Sequence, residues 1–207
     1  MLPTATRLYL IRHGEVEETY HQIFGGRIDM SLSPKGMLQA TSIADYFEPV
    51  ALDAIYCSPM KRAQLTAKPL LDSKGMSAMT MNDLREVDFG DWTGHRWQEI
   101  EEKFGVSAFT WLDQLERNTV PNAESGDVLR ARITPCINTI LETHREQSVA
   151  VVCHGGVIRV ILSTLLQIPL PLTIGFEVDY CSVNVADCRD NRAILQLLNH
   201  TPWRPVL

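Results

Sequence analysis

Two short apolar runs that each end in a histidine–glycine pair, with helix-start signals spaced between them, predict an α/β fold. The expected architecture is a mostly parallel mixed sheet flanked by helices on both faces, with a helical cap insertion. Leu8-Tyr9-Leu10-Ile11, Ala54-Ile55-Tyr56-Cys57 and Val149-Ala150-Val151-Val152-Cys153 are near-continuous apolar stretches, as expected of strands buried on both faces. Ser33-Pro34 and Ser58-Pro59 each offer an N-cap hydroxyl followed by proline at the first helical position. Behind them run the apolar stripes Met37, Ala40, Ala44, Phe47 and Ala63, Ala67, Leu70, Leu71, both at helical spacing. Met76, Met79 and Met81 read as gap-filling side chains near a short strand. Ile133, Ile137, Ile140 and Leu141 mark a further helix, with Pro135 either in its first turn or kinking it. Residues 157–167 are apolar almost all round, which predicts a buried helix. Residues 181–187 and 193–199 read as two strands joined at Arg189-Asp190-Asn191.

The 207 residues favour one domain over two, spanning 1–207, with residues 88–130 as a helical cap within it. This stretch holds Trp92, Trp97 and Trp111 and helix-like patterning from Glu99 to Leu115. The composition, 45% hydrophobic and 21% charged, excludes a disordered or fibrous chain. A net charge of -6 without a basic run argues against nucleic-acid or membrane-surface partners, so an anionic substrate must be met by a local cluster of arginines. Five cysteines without a C-x-x-C pair predict reduced, buried thiols in a cytoplasmic protein. Residues 1–6 lack the pattern of a signal peptide, and the apolar stretch 157–176 is broken by Arg159, Gln167, Pro169, Pro171 and Gly175, which argues against a membrane span. The C-terminal strands offer a sheet edge compatible with a monomer or a homodimer.

Arg12-His13-Gly14 and His154-Gly155-Gly156 follow directly on two of the buried runs. Ligand sites in open α/β sheets lie outside the carboxyl ends of the strands, so both imidazoles are expected on one functional edge. With 6 His and 12 Gly in the chain, two such tripeptides at two such places are not a product of composition. The set suits phosphoryl transfer through a histidine. A neutral imidazole is a competent nucleophile near pH 7, and arginine forks match the equatorial oxygens of the transferred group. Arg12 adjoins the proposed nucleophile, and Arg62 falls in the first turn of the helix after Ser58-Pro59, where the helix N-terminus favours an anion. The leaving alkoxide needs a proton from a carboxylic acid, for which Glu86 is a candidate beside Asp88 and Glu15. His95, His144 and His200 have no partners at metal-ligand spacing.

Five ordered motifs resemble the histidine phosphatase superfamily, the phosphoglycerate mutase-like group. They are Arg12-His13-Gly14-Glu15; Leu32-Ser33-Pro34-Lys35-Gly36 with Gln39-Ala40; Ser58-Pro59-Met60-Lys61-Arg62-Ala63 with Thr66-Ala67; Glu86 with Gly90-Asp91-Trp92-Thr93-Gly94; and His154-Gly155-Gly156. The resemblance implies that His13 is the phosphorylated nucleophile, that Arg12, Arg62 and His154, with Gly155, hold the phosphate, and that Glu86 is the proton donor. It also implies a mixed sheet flanked by helices, and neither a metal nor an organic cofactor. Thr19 stands where many relatives carry asparagine; Thr19, Gly25 and Trp92 are further candidates for substrate contact, and His21 for the pocket wall.

Within the family, the run from Val87 to Gly94 with Trp97, Glu99 and Ile100, together with Glu124-Ser125 and the stretch from His154 to Arg159, resembles the α-ribazole phosphatases of the cobalamin nucleotide-loop pathway. The expected activity is hydrolysis of a small phosphorylated metabolite through a phosphohistidine, with α-ribazole 5′-phosphate first. The competing readings are a broad-specificity or other small-metabolite phosphatase, a phosphoglycerate mutase-type phosphotransferase, and a non-catalytic phosphate-ligand module. Trp92 and Trp97 are the expected flat wall for a nucleobase-like group.

Overall fold

The structure is a computed structural model that describes residues 5–190 and 192–204; residues 1–4 of the segment read for a leader, and Asn191 of the C-terminal turn, lie outside the described residues. Its sheet has the order β3-β2-β4-β1-β5-β6, built from β1 (Thr6–Arg12), β2 (Ala54–Cys57), β3 (Met79–Thr80), β4 (Ser148–Cys153), β5 (Val183–Arg189) and β6 (Arg192–His200). The first four strands in that order run parallel, and β5 and β6 continue the sheet antiparallel from β1, so the sheet is mixed and mostly parallel as expected.

Side-chain alternation along the strands divides the core into two layers. Leu8, Leu10, Tyr56, Val149 and Val151 face α5 (Gly126–Thr143), α6 (Gly155–Leu166) and the cap. Tyr9, Ile11, Ile55, Ala150 and Val152 face α1 (Pro34–Phe47) and α2 (Lys61–Lys74) through Ile43, Phe47, Ala63, Ala67 and Leu70. One residue of register slip would exchange the two sets, and both sets are apolar because both faces are covered.

Ser33 caps α1 by accepting from the Gly36 N–H at 3.0 Å, with Pro34 at the first position, as expected. Met37, however, is exposed, and the buried stripe runs instead through Gly36, Ala40, Ile43, Ala44 and Phe47. The reason is a close approach of backbones: a Cβ on Gly36 would lie 2.0 Å from the Glu15 carbonyl oxygen, and one on Gly14 2.7 Å from the Gly36 oxygen. Only glycines let the start of α1 press against the chain leaving β1.

The second cap departs from expectation. α2 begins at Lys61 behind Met60, with no side-chain cap, because the Ser58 hydroxyl lies 2.8 Å from His154 Nε2 while also accepting from the Met60 N–H. Pro135 sits in the interior of α5, whose start is Ser125-capped and precedes the apolar stripe by two turns. In the cap, the helix-like patterning from Glu99 to Leu115 resolves into α3 (Trp97–Phe104), a 3₁₀ turn (Ala108–Thr110) and α4 (Trp111–Glu116), with Gly105 at φ +69° ending α3. Trp92, Ile100, Leu112 and Leu115 of the cap join the same apolar cluster as α5, α6 and the sheet.

Leu10 is fully buried at the centre of the sheet, whereas Leu38 on α1 is 70% exposed. Leu10→Ala is therefore expected to lower unfolding free energy by about 2–5 kcal/mol. Leu38→Ala should stay within about 0.5 kcal/mol. Urea unfolding of the two variants beside the parent checks this, and equal losses would contradict the assigned layers.

Candidate active site

The parallel pairing of β1 with β4 aligns Arg12 with Cys153, so the residues that follow, His13 and His154, leave the sheet side by side. The His13 N–H donates to the Cys153 carbonyl at 3.0 Å, and the two imidazole rings lie 5.2 Å apart. On the other flank β5 runs antiparallel, so the chain entering it arrives at the same edge. There Cys181 N–H donates to the His13 carbonyl at 3.2 Å, and the Tyr180 ring lies 5.6 Å from the His13 ring.

The partners of His13 fix its tautomer. Nδ1 lies 2.8 Å from the Gly14 carbonyl oxygen, an acceptor only, so Nδ1 carries the hydrogen. Nε2 then accepts from Arg62 Nε at 3.2 Å with its lone pair. His13 is 5% exposed, and burial, followed by the charges of Arg62 and Arg12, holds its pKa well below the ordinary histidine value. Burial first, then Arg62, His13 and Arg12, does the same to His154. The His154 Nδ1 is buried without a protein partner.

Arg62 is held by three contacts, donating from Nη1 to the Ile28 carbonyl at 2.9 Å and from Nη2 to the Gly26 carbonyl at 2.8 Å besides its bond to His13. Arg12 stacks its guanidinium 4.2 Å over the Tyr180 ring, donates to the Val178 carbonyl at 2.6 Å, and keeps a buried Nε without a partner. Gly155 lies against this guanidinium, where a Cβ would come within 3.5 Å of Nε.

Among the three candidate acids, Glu15 is bound to Lys35 at 2.8 Å and to the Ser33 hydroxyl at 2.9 Å. Asp88 pairs with Arg27 at 3.1 Å. Glu86 accepts only from backbone, from Val87 N–H at 3.0 Å and Gly156 N–H at 3.4 Å, and among the described residues it pairs with no cation. A Cβ at Gly156 would fall 2.6 Å from Glu86 Oε1, so glycine is required for the carboxylate to lie there.

Arg12, His13, Arg62, Glu86, Gly155 and Gly25 all line one cavity of about 700 Å³. Thr19 does not: it is exposed in the short 3₁₀ turn Glu18–Tyr20, and Tyr20 and His21 line the cavity instead. Trp92 is also away from the cavity wall. It is 1% exposed and packed against Phe24 and Phe104, and the aromatic wall comes from Trp97, Phe109 and Trp111. Sequence reasoning missed Tyr180 and gave Arg159 no separate role. Arg159 lines the cavity with its charge turned down to about 10 by burial and then by Arg12, while its Nη1 donates to the Thr173 and Phe176 carbonyls. The available signal for Tyr180 was its place immediately ahead of an apolar strand that pairs antiparallel. Among the described residues no three His, Cys, Asp or Glu side chains cluster as a metal site, and no helix is long and apolar enough to cross a membrane.

A model of the histidine phosphatase superfamily (branch 1) matches residues 8–201. This chain belongs to the histidine phosphatase superfamily. It is 31% identical over 194 residues to a candidate phosphoserine phosphatase 2 of Hydrogenobacter thermophilus, covering 93% of this chain and 95% of that protein. It is 26% identical over 193 residues to the adenosylcobalamin/alpha-ribazole phosphatase of Escherichia coli, covering 93% and 95%. The crystal structure of the alpha-ribazole phosphatase from Shigella flexneri superimposes with a TM-score of 0.82 at 26% identity, over 95% of this chain and 97% of that one. Both curated relatives carry the name of a phosphatase, and each match spans 93% of this chain.

In this histidine phosphatase superfamily member the two neutral, buried imidazoles couple stability to pH. In the unfolded chain each titrates near the ordinary histidine value of about 6.5, whereas burial keeps the folded form from binding those protons until lower pH. The unfolded state thus binds more protons as pH falls, so stability is full above pH 6.5 and declines below it, by up to about 1.4 kcal/mol per pH unit per histidine. Urea unfolding from about pH 7.5 to 5.5 should show this slope, and His154→Asn should remove up to half of it. An unchanged slope in that variant would contradict the assignment.

Proposed function

We propose that the protein is a metal-independent phosphomonoester hydrolase that works through a phosphohistidine on His13. The observation that carries this reading is the His13 ring itself: Nδ1–H is spent on the Gly14 carbonyl, and the Nε2 lone pair faces Arg62 at the cavity. In the first step Nε2 attacks phosphorus in line. An N–P bond forms, the P–O bond to the leaving group breaks, and Glu86 in its acid form gives its proton to the departing oxygen. In the second step water attacks phosphorus, its proton passes to the Glu86 carboxylate, and the N–P electron pair returns to Nε2.

Arg12, Arg62 and His154 surround His13 and supply donors for the phosphoryl oxygens. The Ser58 hydroxyl lies 2.8 Å from His154 Nε2 and is assigned as the donor, which leaves Nδ1–H, without a partner among the described residues, for an oxygen of the anion. Arg62 Nε–H, released when Nε2 takes phosphorus, turns to another. The five free cysteines suit a reducing compartment such as the cytoplasm. Cys57 and Cys181 are pushed up to about 12 by burial and stay as thiols.

The mouth of the cavity supports α-ribazole 5′-phosphate, a step of cobalamin nucleotide-loop assembly, as the substrate. Phe109 is 72% exposed and Trp97 43%, with their rings edge to face at 6.1 Å, and Ile174, 46% exposed, lies on the same cavity from the other side of the sheet edge. Apolar side chains grouped at a polar site favour a ligand that covers them. A benzimidazole ribonucleotide presents such a flat apolar group beyond its phosphate, whereas phosphoserine is small and zwitterionic and covers none of these rings.

The test is phosphate release in the presence of a chelator from α-ribazole 5′-phosphate, phosphoserine, sugar phosphates and phosphoglycerates. α-Ribazole 5′-phosphate is expected to lead in kcat/KM by orders of magnitude, and His13→Ala to abolish turnover of every substrate. Phe109→Ala should raise KM for α-ribazole 5′-phosphate about tenfold, equivalent to about 1.4 kcal/mol, with phosphoserine unaffected. A lead for phosphoserine would replace the substrate assignment and leave the chemistry, whereas activity in His13→Ala would remove the chemistry.

A further inference from the structure

Glu86 lies in a stretch without regular secondary structure, between the 3₁₀ turns Asn82–Leu84 and Gly90–Trp92. Its backbone groups find few partners of their own kind, so something else must fix where the carboxylate sits. Two side chains supplied by α5 and the loop ahead of it do this. Arg132 donates from Nη1 to the carbonyls of Asp83 at 2.5 Å and Arg85 at 2.9 Å, and from Nη2 to the carbonyl of Glu86 itself at 3.3 Å. The same guanidinium pairs in fork geometry with Glu124, Nε to Oε1 at 2.8 Å and Nη2 to Oε2 at 2.9 Å. Glu124 Oε2 in turn accepts from the Asp88 N–H at 2.9 Å, and the Glu124 N–H donates back to the Asp88 carbonyl at 2.9 Å. The backbone is thus gripped on both sides of Glu86 by one ion pair whose side chains are only 13% and 11% exposed.

The grip also reaches the phosphate side of the cavity. Arg27 bonds Glu124 Oε1 at 2.9 Å and Asp88 at 3.1 Å, and its neighbours Gly26 and Ile28 give the two carbonyls that hold Arg62. Arg62 keeps its own bonds to those two carbonyls and to His13, so Arg132 and Glu124 act directly on the Glu86 stretch alone. Nothing in the chemistry proposed above needs Arg132 or Glu124 to touch substrate.

We propose that Arg132 and Glu124 are positioning residues for proton donation, holding the Glu86 loop so that its carboxyl group meets the leaving oxygen. The proposal rests on the reading of Glu86 as the proton donor. Displacing a reacting group by about 1 Å costs on the order of 100-fold in rate, so the loss of this grip registers in the step that Glu86 serves. That step differs between substrates. An alkyl phosphate expels a basic alkoxide that requires the proton, whereas p-nitrophenyl phosphate expels a stable phenolate that does not.

The experiment compares kcat/KM, which reports formation of the phosphohistidine and not the hydrolysis step common to all substrates, for p-nitrophenyl phosphate and for the primary-alcohol phosphate turned over fastest in the substrate panel, using full-length Arg132→Lys, Glu124→Gln and Glu86→Gln proteins. Lysine places one point charge where arginine serves five acceptor atoms. Glu124→Gln keeps the shape of the side chain and serves if Arg132→Lys does not fold. The expected result is a 10- to 100-fold loss of kcat/KM on the alkyl phosphate and a change of under about threefold on p-nitrophenyl phosphate, following the pattern of Glu86→Gln. Equal losses on both substrates, or no loss on either, overturn the positioning role. If Glu86→Gln discriminates and neither clamp variant does, the clamp alone is wrong. If Glu86→Gln itself loses both substrates alike, the reading of Glu86 falls and the clamp falls with it.

Discussion

The site is built around an imidazole held from both ends. His13 gives its Nδ1 hydrogen to the carbonyl of the next residue and receives a hydrogen at Nε2 from Arg62. That arrangement requires the chain to turn sharply just after β1, which the mutual approach of Gly14 and Gly36 allows. It also requires α2 to begin where Arg62 can reach across, which the Ser58-Pro59 bend arranges by delaying the helix to Lys61. The loop 25–30 must then lend its carbonyls to the same guanidinium. Moving any one of these elements releases the lone pair from its direction, so the loops at this edge of the sheet are fitted to one nitrogen atom.

Electrostatics gives the apo site its character. Arg12, Arg62 and Arg159 converge on a cavity that His13 also lines, and burial pushes Arg62, Arg159, His13 and His154 toward their uncharged forms. The cations are met mainly by carbonyl oxygens and by the face of Tyr180, which orient them without cancelling their charge. Of the four carboxylates on the cavity, Glu15 is engaged by Lys35 and Asp179 by Arg204, which leaves Glu86 and Glu177 against the three guanidiniums. A positive field confined to a partly enclosed cavity thus persists on a chain whose net charge is -6.

The sheet and the histidines were legible because their signals are local. Continuous apolar runs identify doubly covered strands, and His13 and His154 follow those runs directly, so their juxtaposition needs only parallel neighbours. The acid was only narrowed to three carboxylates, since choosing among Glu15, Glu86 and Asp88 depends on which are already paired, and their partners Lys35 and Arg27 are remote in sequence from Glu15 and Asp88. Ser58 was read as a cap because a hydroxyl before proline usually is one, and the competing acceptor, His154, lies 96 residues away. Trp92 was read as a wall because aromatic content locates a cap but not the direction of its side chains. Trp97 at the start of α3 and Phe109 in the turn after it are exposed, whereas Trp92 in the turn before α3 is buried. Arg159 and Tyr180 were illegible as site residues for a topological reason, since their importance follows from a 3₁₀ turn at Leu170–Gly175 and from the antiparallel entry of β5.

That antiparallel entry also explains why the fold adds two strands beyond the parallel set. A purely parallel sheet would bring only strand ends and helix starts to the functional edge. β5, running the other way, brings a strand start, and with it a tight loop that carries Val178 and Tyr180 onto Arg12. The loop requires Cys181 at φ +49°, a left-handed conformation that costs a side-chain-bearing residue about 1–2 kcal/mol. Its hold is external: Asp179 N–H donates to Asn199 Oδ1 at 2.7 Å, Trp203 Nε1 donates to the Tyr180 carbonyl at 2.8 Å, and Arg204 pairs with Asp179. The end of β6 and the turn after it therefore belong to the functional edge in a mechanical sense, because they keep a strained loop pressed against the Arg12 guanidinium.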